Sequence, residues 1–87
     1  MTFPMPPKPI SIRFRRMKGK LGEAYYEARQ ITLHPDQDDI SLMGSAIHEV
    51  LHVEVWDLSE DAVLRIEKSI VDVLLRLGFR HREKDGE

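Results

Sequence analysis

His48-Glu49-Val50-Leu51-His52 sets two imidazoles four residues apart, with a carboxylate directly after the first. On an α-helix, residues i and i+4 lie one above the other on the same face. His48 and His52 can then share one metal ion, and Glu49 lies beside them within reach of a water on that ion. Two neutral nitrogen ligands, a carboxylate base and an open coordination position are what a zinc hydrolase needs. A shuffled chain of this composition carries H-E-x-x-H in roughly 1–2% of cases, so the surrounding elements must decide its weight. The competing reading is a pair of surface histidines on an amphipathic helix.

The chain around the motif is short. Its 87 residues make one domain with a modest core. A hydrophobic content of 41% and one tryptophan place it among folded chains. A net charge of −2 argues against a general polyanion-binding role. The absence of cysteine excludes disulfides, thiolate zinc sites and cysteine nucleophiles. No apolar run approaches the ~18 residues of a membrane span. Met1–Pro9 is proline-rich and lacks the apolar stretch of a secretory signal. The expectation is a soluble, cytoplasmic protein with no membrane partner.

The pattern predicts an α+β fold: a small antiparallel sheet of two or three strands followed by two long packed helices. Met1–Pro9 reads as an extended arm. The alternation in Ile10–Arg15 predicts a half-buried strand. Arg16–Gly22 reads as a loop, and Ala24–Ala28 and Gln30–Leu33 as two further strands, paired as a hairpin or joined as one bent strand. Pro35 ends the sheet. Asp38 or Asp39 caps the first helix, with Ile40, Met43, Ile47, Val50 and Leu51 as its apolar stripe. Stepped at about 100° per residue from Ile47, His48 and His52 fall at about 100° and 140°, flanking the stripe, with Glu49 just beyond on the more open side. Ser59 or Asp57 caps a second helix that runs to Leu77 and stops at Gly78. Its stripe is Val63, Ile66, Ile70, Val73, Leu74 and Leu77. Residues 79–87 read as a flexible charged tail.

A catalytic zinc site takes three protein ligands, and without cysteine the third must be His, Asp or Glu. On the second helix, Glu67 lies at about 60° and Glu60 at about 80° from Ile70, both on the shoulder of the stripe, while Asp61 points away. Geometry alone leaves Glu60 and Glu67 level, with His34 as an outside candidate. His34 otherwise reads as a turn residue, and His81 as a solvated side chain of the tail. Tyr25 and Tyr26 are candidates to bind substrate by donating to an oxyanion, against plain sheet packing. Trp56, four residues after His52, either walls the groove or packs on a neighbour. Ile31–Leu33 is the expected free strand edge for an extended peptide. Lys8, Arg13, Arg15, Arg16, Lys18 and Lys20 form a basic run that supports only a minor nucleic-acid reading, since the remainder is acidic. A small core and an exposed edge leave room for a homodimer.

The segment Ser45-Ala46-Ile47-His48-Glu49-Val50-Leu51-His52, followed by Asp57-Leu58-Ser59-Glu60-Asp61-Ala62-Val63, resembles the small zincin-like metallopeptidases of phage and bacterial genomes, distant relatives of the gluzincins. Their pattern is an H-E-x-L-H helix, a short link and a helix opening on S-E-x-x-V, preceded by a β-hairpin. The resemblance covers roughly residues 10 to 78, and H-E-x-x-H is its specific part. It implies one Zn²⁺ per chain, with His48 and His52 as ligands and Glu49 as general base. It favours Glu60 as third ligand and implies a peptide or protein substrate. The chain departs from larger members in lacking an N-terminal helix and a longer sheet, and no oxyanion donor of theirs can be matched here. A zinc-binding interaction domain without efficient catalysis is the alternative expectation.

Overall fold

The computed structural model describes residues 8–81. Most of the expected N-terminal arm and residues 82–87 of the expected tail lie outside them. The order is β1 (Ser11–Phe14), β2 (Gly22–Tyr25), β3 (Gln30–Leu33), α1 (Asp39–Glu54) and α2 (Glu60–Arg76). The class is α+β: a three-stranded sheet followed by two helices.

The sheet is mixed where an antiparallel one was expected. Its order is β1-β3-β2, with β1 parallel to β3 and β2 antiparallel to it. The β2–β3 hairpin closes over residues 26–29, earlier than the strand expected at Ala24–Ala28. The Arg29 N–H donates to the Tyr26 carbonyl at 3.2 Å, and Arg29 takes the left-handed backbone that such a loop uses. β1 takes the other edge of β3, so residues 15–21 must cross the end of β3 to reach β2. Both ends of this crossing are tied to that strand end: Arg15 N–H to the Leu33 carbonyl at 3.0 Å, and His34 N–H to the Leu21 carbonyl at 2.9 Å. This loop walls the site described below.

One consequence is that Ile31–Leu33 is no edge. It lies in the central strand, and Ile31, Thr32 and Leu33 are buried. Among the described residues the free edges belong to β1 and β2. Non-local pairing of β1, invisible to periodicity, took the edge position from β3.

α1 lies across β2 and β3, and α2 packs on α1 without touching the sheet. Asp38 caps α1 by accepting from Ser41 N–H at 2.8 Å. Ser59 caps α2 by accepting from Ala62 N–H at 3.2 Å. Gly78, at φ 91°, ends the second helix as its sequence position predicts. The face of α1 turned to the sheet is Leu42, Ala46, Val50 and Val53, packed with Ile10, Ala24, Ile31 and Leu33. That is a rotation from the expected stripe, and it leaves Ile40 exposed. The sheet sets the buried direction, whereas the apolar stripe is wider than the sheet can cover. On α2 only Val63 is fully buried; Ile70, Val73 and Leu77 are exposed, because among the described residues α1 is the one element packed on it. Arg29 fastens the hairpin turn to the end of α1, with its guanidinium 2.6 Å from Glu54 and its Nε donating to the Lys8 carbonyl at 2.7 Å. Arg80, expected in a free tail, pairs with Asp39 at 2.7 Å and holds that carboxyl below its usual range.

Candidate metal centre

His48 and His52 lie one turn apart near the C-terminal end of α1, with Nε2 atoms 3.2 Å apart. The link at Val55–Ser59 turns the chain back, so the first residue of α2, Glu60, arrives opposite them. Its carboxylate oxygens lie 3.2 Å from His48 Nε2 and 3.0 Å from His52 Nε2. Among the described residues, His48, His52 and Glu60 form the group able to hold a metal ion. A tetrahedral zinc with bonds of about 2.0–2.1 Å places its ligand atoms about 3.3 Å from one another, and this set matches that spacing.

Glu67, level with Glu60 by helical angle, has a different place. Two turns further along α2, it meets the other side of the His48 ring, where Nδ1–H donates to Glu67 Oε1 at 2.8 Å. The tautomer protonated at Nδ1 satisfies the Glu67 carboxylate and turns the Nε2 lone pair toward Glu60 and His52, the form that a metal-ligating histidine takes. This donor set could hold a metal ion: Nε2 of both histidines and the Glu60 carboxylate converge, and a second carboxylate stands behind His48 Nδ1.

Glu49 is 8% exposed, not on the open side as its helical angle implied. Its side chain turns under β2 against Gly22. A Cβ on Gly22 would lie 2.8 Å from Glu49 Oε2, so only glycine leaves room there. Burial raises the Glu49 pKa, with Glu60 and Glu23 adding to the effect and positive charge on His48 or His52 opposing it. Gly44 plays the same part for Glu67, since a Cβ there would meet Oε2 at 2.7 Å. Two glycines thus seat two carboxylates. No periodicity in the sequence marks either, because the constraint comes from an element distant along the chain.

The cleft over these groups has a volume of ≈ 390 Å³ and is lined by Gly19–Gly22, Ser45, His48, Glu49, Leu64 and Glu67. It continues past Leu21, Ser45 and Glu67 into a second hollow of ≈ 480 Å³ between α1 and α2, with Ile40, Val71 and Leu75 as apolar walls. Lys20 stands at the cleft rim with Nζ 2.6 Å from Glu23.

The tyrosines are not brought to the His48, His52 and Glu60 group. Gly22 and Ala24 face α1, so alternation turns Glu23 and Tyr25 to the opposite sheet face. There the Tyr25 hydroxyl donates to Glu23, beside Arg13 and Arg15. Tyr26 stacks on Trp56 with ring centroids 5.4 Å apart, a packing role for both rings. His34 accepts from the Asp36 N–H at 3.1 Å in the turn after β3, and His81 is exposed. Neither joins the ligand group. Of the basic run, Arg15 and Lys20 pair with Glu23, and Arg16 with Asp36.

No helix of the described residues is long and apolar enough to cross a membrane. Comparison with protein-family models, with curated proteins and with solved structures finds no match to this chain.

Proposed function

We propose that this chain is a zinc-dependent peptidase of minimal zincin-like form, holding one Zn²⁺ on His48, His52 and Glu60. The observation that carries the reading is the convergence of two imidazole Nε2 atoms 3.2 Å apart with the two Glu60 carboxylate oxygens, each 3.0–3.2 Å from one of them, beside the buried Glu49. Zn²⁺ in such a site supplies a Lewis acid for a peptide carbonyl and lowers the pKa of its water toward ~7. Glu49, buried beside the two histidines, would take the water's proton and return it to the leaving amine. Glu67 holds the His48 ring in the ligating tautomer. Among the described residues β2 has one strand partner, so its outer backbone edge can pair with an extended peptide. Gly22 would bring that peptide's carbonyl beside Glu49, and the hollow lined by Ile40, Val71 and Leu75 would receive a neighbouring side chain.

A second reading is a structural zinc that clamps α2 to α1. It is favoured by one observation: among the described elements α2 rests on α1 alone, with its proposed ligand Glu60 exposed. Glu49→Gln separates the two. The test is zinc content by elemental mass spectrometry on tag-free protein, wild type and His48→Ala, followed by mass-spectrometric profiling of cleaved peptides. About one zinc per chain, lost in His48→Ala, with cleavage abolished in a zinc-replete Glu49→Gln protein, supports the peptidase. Zinc binding without Glu49-dependent cleavage leaves the clamp. No zinc in either protein removes both readings.

A further inference from the structure

α1 has two flanks between the sheet and α2. One carries the metal cleft, on the β2 side. On the other, three elements leave apolar side chains without a neighbour among the described residues. β1 pairs Ile12 with Ile31 and Phe14 with Leu33, so these side chains stand on the sheet face that α1 covers, yet α1 does not reach β1. Ile12 is 64% and Phe14 54% exposed. Ala46, Ile47, Val50 and Leu51 of α1 form the floor of a groove closed by Ile70 of α2, with no charged residue in its lining. The chain as a whole is 32% charged. Beyond Ile70, α2 presents Val73 and Leu77, 45% and 67% exposed.

We propose that two copies of this chain pair across this trough, α2 against α2, along the seam Ile66, Ile70, Val73 and Leu77. The seam steps by four, three and four residues, the spacing of a helix-pairing stripe. That spacing reads the same in both directions. An antiparallel copy therefore meets it residue for residue, Ile66 on Leu77 and Ile70 on Val73, as a two-fold axis requires. Ser69 and Leu74, which flank the seam's centre, bring no charge to repel a copy. Area agrees. The exposed parts of Ile12, Phe14, Ile70, Val73 and Leu77 amount to about 500 Å² per chain, and the apolar core of a standard interface is about two-thirds of roughly 800 Å² per partner. The pair places four helices together with the two sheets outside and leaves both metal clefts open on the far flanks. The isolated chain needs such a neighbour, since its fully buried apolar side chains are Ile31, Leu33, Val53 and Val63 alone among the described residues.

The test is the mass in solution of the tag-free chain by sedimentation velocity and light scattering, from low to high micromolar concentration. The comparison is Val73→Lys combined with Leu77→Lys. Both positions are already exposed, and lysine is tolerated near a helix C-terminus. Far-UV circular dichroism confirms that the variant is folded. Wild type is expected at twice the chain mass of 10.1 kDa, and the folded variant at the chain mass. A wild-type monomer throughout overturns the proposal and assigns the trough to another occupant. A dimer that survives in the folded variant overturns it too, because the contact then lies elsewhere.

Discussion

Replacing Glu67 with Gln keeps the shape of the side chain and an acceptor oxygen for His48 Nδ1–H but removes the charge. The bond in question is 2.8 Å long, between side chains about one-fifth exposed. Loss of a carboxylate behind a metal-ligating histidine costs 10- to 100-fold in metal affinity as a rule, or about 1.4–2.7 kcal/mol. If zinc binds the folded chain as proposed, that loss subtracts from the zinc-dependent stabilisation. For a domain of this size each kcal/mol moves the Tm by about 4–8 °C, so Glu67→Gln should lose about 5–20 °C of the Tm gained on adding saturating zinc. The assay pairs thermal melts, with zinc and with chelator, and a competitive zinc titration against a chromogenic chelator. The chelator melt should change little, since Gln still accepts the bond. Gly44→Ala should act in the same direction, because its Cβ would displace the Glu67 carboxylate from 2.7 Å away. Wild-type zinc affinity in Glu67→Gln, with the fold intact, would refute the assignment of Glu67 as the group that orients His48.

Glu49→Gln should raise the Tm of the zinc-free protein at neutral pH while abolishing hydrolysis. The folded-state pKa lies above the ordinary 4.5, so ionised Glu49 destabilises the fold as pH rises through its folded pKa. Below about pH 4.5 the carboxyl is protonated in both states and the advantage of Gln should vanish; an equal gain at pH 4 and pH 7 would contradict burial as the cause. Gly22→Ala places a methyl 2.8–2.9 Å from Glu49 Oε2 and Cγ, a crowding worth about 1–3 kcal/mol, and should reduce cleavage more than zinc affinity. An unchanged melting curve would show that the strand yields freely. Ser59→Ala removes the α2 cap at about 0.5–2 kcal/mol. Since Glu60 is the next residue, zinc affinity should fall with the Tm, and a drop in Tm alone would separate the cap from the site.

By itself the sequence determined what is local. The spacing in His48-Glu49-Val50-Leu51-His52 needs only a helix to bring its imidazoles together. That helix follows from the Asp38 cap, and the second from Ser59 and Gly78, each a matter of hydrogen bonds within a few residues. The α+β order and the separation into hairpin and helices were legible for the same reason. Tertiary structure decided everything that rests on contact between distant segments. Helical angle left Glu60 and Glu67 level because it measures rotation and not position along the axis. The turn at Val55–Ser59 sets Glu60 against Nε2 and carries Glu67 past it to Nδ1. The parallel pairing of β1 with β3 moved the free edge from Ile31–Leu33 to β2 and sent the crossing loop over Glu49. Only then did Gly22 acquire its role. Side-chain alternation along β2, fixed by which face α1 covers, turned Tyr25 away from the candidate ligands His48, His52 and Glu60. A periodic pattern shows that a face is apolar or polar, but which neighbour that face meets depends on packing between elements far apart in the chain.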